Sequence, residues 1–393
     1  MKLNFYLIEY AINALYREKT KNTFVFVILT LLVFLLSSSF FIVNSIKYEL
    51  NQTVKSLPSI IVQNTKASRV YDIETSVVDD ILSLSGVSYA TPRVWGYYYF
   101  ENSDTNFVVV GIDKYEKQYK KLYQDIVENF DIDNLDSNSS MLVGKGVKYI
   151  LQKSYYDKYF NFIKPDGTIK KLTIAGVFNS TTSLESNDMI IVSIDQAREI
   201  FDIDDEMATD IVVQVSNPTE IPTVVEKIKT LYPNTKITTK DDIKVSYQNL
   251  FDYKSGIFLA LFLVVLFTFF IIVYDKISGF TSTQTKEIGI LKALGWKIED
   301  VLKEKFYESF IISFGAYILG SLFALVFVYI LQAPYLKYIF IGYSNILAPF
   351  ELPFILDIQT FVLIFFLSVP IYIASTIIPS WKIATLETDE VIR

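Results

Sequence analysis

The chain has 393 residues, 51% of them hydrophobic, with only 14 Gly and 11 Pro, which excludes a disordered or fibrous protein and leaves room for membrane spans plus one or two soluble domains. It contains no Cys and no His, so disulfides, thiolate chemistry and imidazole acids, bases or metal ligands are all excluded, and the expectation is a chain that is not itself an enzyme. The net charge of -7 resides wholly in residues 47–254, with 23 Lys+Arg against 30 Asp+Glu; an acidic soluble part gives no support to nucleic-acid binding.

Near the start, Leu3, Leu7, Tyr10, Ala14 and Leu15 repeat at helical spacing, and residues 1–22 read as a cytosolic interfacial amphipathic helix. The apolar run Thr23 to Ile46 is too long for the core of a secretory signal and offers no small-residue cleavage site at Phe40 to Val43, so it is expected to stay as a first span.

Residues 47–254 read as a large domain in two parts. Ser59 to Gln63 is a predicted strand, Thr75 to Leu84 a helix stopped by Gly86, and Ser88 to Phe100 and Phe107 to Ile112 are strands rich in Tyr, Val and Phe. The order returns with strand Asp210 to Val215, a helix Pro222 to Leu231 with Val225, Ile228 and Leu231 on one face, and strand Lys236 to Thr239. The echo of IIVQ in IVVQ points to two βαβ-like halves of one subdomain, 47–113 and 208–254. Between them 114–207 is an insertion, opening with a Tyr- and Lys-rich helical stretch and continuing through LVGKGVKYIL, a turn at Pro165 to Gly167, KLTIAGVF and MIIVSI.

Three more apolar runs follow, Gly256 to Tyr274, Phe310 to Leu331 and Phe361 to Ile378, each near the roughly 20 residues that cross a hydrocarbon core. None holds Asp, Glu, Lys or Arg between its ends, which speaks against ion-coupled transport by this chain alone. In the third, Ala316, Gly320 and Ala324 form a small-residue stripe for close helix packing, either against another span of the same chain or at a dimer seam; in the fourth, Pro370 predicts a kink. The loop 275–309 carries Lys286, Lys292, Lys297, Lys303 and Lys305, whereas 332–360 has a single Lys337. Lys-rich short loops stay on the cytoplasmic side, which places both termini and the tail 379–393 inside and 47–254 outside. The fold class is thus an α-helical membrane domain with four transmembrane helices plus a large α+β extracytoplasmic domain of two subdomains.

Within the basic loop Ile288, Leu291, Leu294 and Ile298 recur at three-to-four residue spacing, predicting a short amphipathic helix that Gly295 stops. Such a helix either engages a soluble partner or lies on lipid headgroups. No GxxxxGK[ST] phosphate loop is present: Leu142 to Gly146 has Gly144, Lys145 and Gly146 but no hydroxyl residue after the lysine, and reads as a strand-to-helix turn. The acidic pairs Asp79 and Asp80, Asp204 and Asp205, and Asp241 and Asp242 lack the alternating ligand pattern of a Ca2+ loop and read as solvated surface.

The segment KEIGILKALGW resembles the cytoplasmic signature of the MacB/FtsX-like superfamily of ABC transporter permeases, and the span order agrees with it over the whole chain. The resemblance implies a coupling helix that docks into an ATPase, carried here by Lys286, Glu287, Ile288, Gly289, Ile290, Leu291, Lys292, Ala293, Leu294 and Gly295. The tail from Pro379 to Arg393 is similar to the family's closing pattern, with Trp381 and Thr385 departing from it. By the same resemblance no cofactor is bound by this chain; ATP and Mg belong to a partner ABC ATPase subunit, and a second permease copy or paralogue completes the complex. The implied setting is the bacterial inner membrane, and the implied work is export or extraction of a hydrophobic or amphiphilic envelope substrate, with a periplasmic adaptor or outer-membrane channel as a further partner. The alternative is mechanical activation of an extracytoplasmic partner such as a cell-wall hydrolase. The plan resembles stand-alone permeases of the LolC/LolE or DevC-like kind.

The orientation is testable in a chain with no native thiol. Single cysteines at Ser137, Ser282 and Ser344 are expected to react with an impermeant thiol reagent at the first and third positions only; labelling at Ser282 on intact cells reverses the topology.

Overall fold

The computed structural model describes residues 5–67, 69–112, 139–178, 187–278, 282–341 and 351–386. They fall into two units, one of the described residues up to Ile46, from Tyr253 to Ile341 and from Leu352 onward, the other of those from Lys47 to Asp252 with Glu351. The Tyr- and Lys-rich stretch that opens at Lys114, the middle of the 332–360 loop and the end of the 379–393 tail lie outside the described residues.

In chain order the elements begin with α1 (Phe5–Arg17), α2 (Lys19–Ser56), β1 (Ile60–Lys66), β2 (Arg69–Tyr71), β3 (Ile73–Glu74), α3 (Val77–Leu82), β4 (Val87–Phe100) and β5 (Thr105–Ile112). There follow β6 (Ser140–Gly144), α4 (Lys145–Lys153), β7 (Tyr159–Ile163), β8 (Ile169–Phe178), β9 (Met189–Ser193), α5 (Ile194–Phe201), β10 (Met207–Ala208), β11 (Asp210–Val215), α6 (Ile221–Leu231) and β12 (Thr235–Thr239). The rest is helical: α7 (Lys240–Ser278), α8 (Ser282–Ala293), α9 (Ile298–Leu325), α10 (Leu336–Ile341) and α11 (Ile358–Thr385).

In the mixed α/β unit ten strands lie on one sheet, in the path β12-β1-β11-β4-β5-β9-β6-β8-β7 with β2 beside β1. β1 is antiparallel to both β11 and β12, and β11 is antiparallel to β4. Each expected βαβ half is therefore split: β11 sits between β1 and β4, and β1 sits between β11 and β12, as in interleaved split βαβ folds. The expected boundary at residue 113 cuts across this sheet. β4, 14 residues long, pairs through Val87–Arg93 with β11 and through Val94–Phe100 with β5, and β5 in turn pairs in parallel with β9 of the insertion. A single buried cluster runs from Ile60 and Val62 through Val94 and Phe107 to Met141, Phe160 and Ile190, so one core serves both parts.

A polar staple fixes the middle of that sheet. The fully buried Asp210 accepts from Arg93 Nε at 2.9 Å and Nη2 at 2.8 Å, and from Trp95 Nε1 at 2.8 Å. A buried carboxylate held by three donors fixes register, because slipping by one residue would leave it unpaired. Local details follow their chemistry: Ser193 caps α5 by accepting from Gln196 N, the LVGKG segment is β6 running into α4, and Gly167, with φ +81°, closes the β7-β8 turn. On α6 the buried positions are Val224 and Ile228, while Leu231 is exposed at the last turn; the face expected to carry Val225, Ile228 and Leu231 is rotated by one residue.

In the helical unit, three helices among the described residues are long and apolar enough to cross a membrane, Lys19–Lys55, Ile298–Ile330 and Ile358–Thr385. The expected run Gly256 to Tyr274 lies inside α7. α2 and α7 have 38 and 39 residues, or about 57 Å each at roughly 1.5 Å per residue, well beyond a hydrocarbon core of about 30 Å. α9 begins a full three turns before the expected Phe310 and ends in a π-helical turn at Val326–Ile330. α11 runs unbroken through Pro370 and Pro379.

One half-buried acid gives the α/β unit a pH signature. Asp188, just before β9, has its carboxyl pushed up to about 6 by burial, so between roughly pH 4 and 6 the unfolded chain gives up a proton that the folded chain keeps, and above that window folding carries the full cost. Asp188→Asn is expected to raise stability by about 1–3 kcal/mol at pH 7.5, since each tenfold change in acidity between the folded and unfolded carboxyl is worth roughly 1.4 kcal/mol, and by nothing measurable at pH 4. Thermal unfolding followed through Trp95, with Trp296 and Trp381 replaced by Phe, checks both values.

Candidate functional site: the segment Ser282 to Trp296

α8 ends because the backbone turns left-handed at Gly295, with φ +94°. Trp296 N donates to Leu291 O at 3.0 Å and Gly295 N to Lys292 O at 3.0 Å, the paired bonds of a Schellman turn, which a glycine makes at no steric cost. The helix stops at Ala293, so Leu294 and Ile298 leave the apolar stripe expected to include them: Leu294 is 73% exposed, while Ile288 and Leu291 are buried.

Those two residues lock the segment to the rest of the helical unit. They pack with Val301 of α9 and Ala384 of α11, flanked by Tyr10 of α1, Trp296 and Ile383, and the Tyr10 and Trp296 rings lie 5.0 Å apart. Polar ties reinforce this face: Arg17 pairs with Glu287, and Lys292 Nζ donates to Leu386 O at the end of α11. α1 is held in turn, with Leu7, Ala11 and Ala14 buried, so its apolar stripe faces protein.

The ten residues of the expected docking segment therefore separate into two faces. Ile288, Gly289 and Leu291 are buried, and Glu287 and Lys292 are half-buried and tied down. Lys286, Ile290, Ala293, Leu294 and Gly295 are exposed. Ile290 and Leu294, the second just past the last residue of the helix, form an unpartnered apolar pair beside Lys286, opposite the fixed side.

A second feature of this end is hidden in the sequence, where Lys305 reads as a loop lysine. Lys305 is buried within α9, its Nζ 2.8 Å from Glu308 Oε2 and 3.3 Å from Glu304 Oε2, and Glu304 is fully buried. The i,i+3 spacing of Lys305 and Glu308 is the available signal; what obscures it is an apolar run that starts only at Phe310.

The stripe Ala316, Gly320 and Ala324 is buried as well. A Cβ on Gly320 would stand 2.7 Å from Thr30 O and 2.8 Å from Val33 Cβ, so the stripe seats the backbone of α2 against α9 within the chain. Of the acidic pairs, Asp242 is used locally, its Oδ2 accepting from Thr239 N and Oγ1, and Asp79, Asp204 and Asp205 line one surface pocket with Glu74 and Glu206.

Two family descriptions match this chain. The MacB-like periplasmic core domain matches residues 26–231, more than half of the chain, and the FtsX-like permease C-terminal domain matches residues 254–388. The chain belongs to the MacB/FtsX-like permease family.

The FtsX-like part contains α8, α9 and α11 together, and the MacB-like part contains most of α2 and the mixed sheet through α6. MacB/FtsX-like permeases are inner-membrane components of ABC transporters, generally not catalytic themselves and normally partnered by an ABC ATPase. Among solved structures, the extracellular domain of the noncanonical ABC-type transporter YknZ from Gram-positive bacteria is 12% identical, covering 46% of this chain and 100% of that one, with a TM-score of 0.32. The periplasmic region of MacB from Actinobacillus actinomycetemcomitans is 14% identical, covering 51% and 98%, with a TM-score of 0.33. No curated protein matches the chain.

The close seat at Gly320 gives a direct test of how this permease packs. Gly320→Val is expected to cost about 1–3 kcal/mol through overpacking against α2, read as a lower Tm in detergent. Gly315→Ala, whose nearest neighbour is the edge of the Phe26 ring at 3.1 Å, is expected to cost less than half as much.

Proposed function

We propose that this chain is the permease subunit of an ABC transporter in which a separate ATPase docks on the exposed face of α8, formed by Lys286, Ile290, Ala293, Leu294 and Gly295. The observation that carries this reading is the division of α8 into two faces, Ile288 and Leu291 clamped to Val301 and Ala384 while Ile290 and Leu294 stand free. A helix clamped in this way transmits a push to α1, α9 and α11 instead of yielding to it. ATP and Mg2+ stay in the ATPase, and the work delivered outside is export or extraction of a hydrophobic or amphiphilic envelope substrate.

In this reading both termini and α8 are cytoplasmic and residues 47–254 are extracytoplasmic, with α7 supplying a fourth span. Two permease chains serve the two ATPase sites, and the long helices α2 and α7 act as stalks. Exposed apolar residues run along α7 from Leu259 and Leu263 to Phe267, Phe270 and Tyr274, a surface for lipid and for the second permease chain.

The two faces of α8 are expected to respond differently to charge. Ile290→Asp with Leu294→Asp should reduce co-purification with the ATPase at least about tenfold, the factor given by losing ~1.4 kcal/mol of contact, and leave the Tm unchanged. Leu291→Asp should lower the Tm itself, because it buries a charge where about 1.5–3 kcal/mol of apolar burial stood. Undiminished co-purification of the Ile290 and Leu294 double variant refutes the docking face.

A further inference from the structure

The elbow where α1 meets α2 opens a groove that ATPase docking on α8 leaves unused. The helices are interrupted at Glu18, and the Asn22 side chain donates through Nδ2 to Leu15 O at 3.1 Å, bracing the bend from inside. Between this elbow and α9 lies a depression of about 330 Å³, with Ile12, Leu15, Phe26, Ile311 and Ile312 among its apolar walls. Its rim carries Lys19 and Tyr16, the Lys19 ammonium 5.6 Å from the centre of the Tyr16 ring. No carboxylate lines the groove, and among the described residues none lies within ion-pair distance of Lys19.

We infer that this groove binds one anionic glycerophospholipid, its headgroup phosphate on Lys19 and part of an acyl chain against Phe26, Ile311 and Ile312. The chemistry of the walls selects the ligand. An apolar slot on a membrane-embedded helical unit is filled by lipid chains, and a lone ammonium at its mouth, with no carboxylate among the lining residues, favours negative headgroups. The volume, near the lower end of the roughly 300–1,000 Å³ typical of small-molecule sites, takes one acyl segment and leaves the rest of the lipid in the bilayer. Ile12 and Tyr16 are 52% and 74% exposed, an aromatic and an aliphatic side chain laid open at the entrance. Assignment to the cytoplasmic leaflet rests on the proposed orientation; binding itself does not.

The test uses the full chain, purified in detergent, stripped of lipid and titrated with phosphatidylglycerol or with phosphatidylcholine of identical chains, the bound lipid counted by native mass spectrometry. One phosphatidylglycerol is expected to bind about fivefold more tightly than phosphatidylcholine, the factor that ~1 kcal/mol per basic residue supplies. Lys19→Glu should erase or invert that preference while Lys21→Glu keeps it, and Ile12→Trp, which fills the slot from an exposed position, should weaken both lipids. Survival of the preference in Lys19→Glu, or undiminished binding in Ile12→Trp, overturns the site. Failure of ATPase docking with lipid binding intact, or the reverse, separates this inference from the proposed function.

Discussion

The contact of Ile288 and Leu291 with Val301 and Ala384 is the interaction on which the rest of the membrane unit's behaviour turns. Each buried aliphatic side chain contributes about 1.5–3 kcal/mol relative to exposure, so the pair holds a twelve-residue helix that would be marginal by itself in water. Because this face is held, the opposite face is presented in one orientation. The Schellman turn at Gly295 completes the arrangement by ending the helix before Leu294 could join the buried stripe.

The cluster of Glu304, Lys305 and Glu308 shows a different kind of constraint. Desolvating an ionised group costs several kcal/mol, and attraction offsets this only where the geometry is tight, as the 2.8 Å and 3.3 Å approaches of Lys305 to its two glutamates are. Such a cluster adds little net stability, but removing one member strands the others. It therefore resists rearrangement of this part of α9 more than an apolar core of equal volume would.

In the α/β unit the organising element is β4, whose first half belongs to the split βαβ pair and whose second half belongs to the insertion's side of the sheet. The Asp210, Arg93 and Trp95 staple sits at that junction. One sheet and one buried core thus run through both parts.

What the sequence determined by itself was local and compositional. The apolar runs, the basic loop, the strand words around IIVQ and IVVQ and the KEIGILKALG segment are patterns of neighbouring residues, and periodicity together with charge was enough to read them. The tertiary structure decided what depends on partners far along the chain: that the insertion joins the sheet of the flanking segments by pairing β9 with β5, that Ala316, Gly320 and Ala324 seat α2, and that Lys305 is buried between two glutamates. It also decided which face of α8 is free. The sequence showed an amphipathic stripe, but a stripe on a short helix says only that one side prefers to leave water, and whether Leu294 belongs to that side depends on a backbone turn at Gly295 and on the positions of Val301 and Ala384, which are fixed by packing between helices and not by spacing within one.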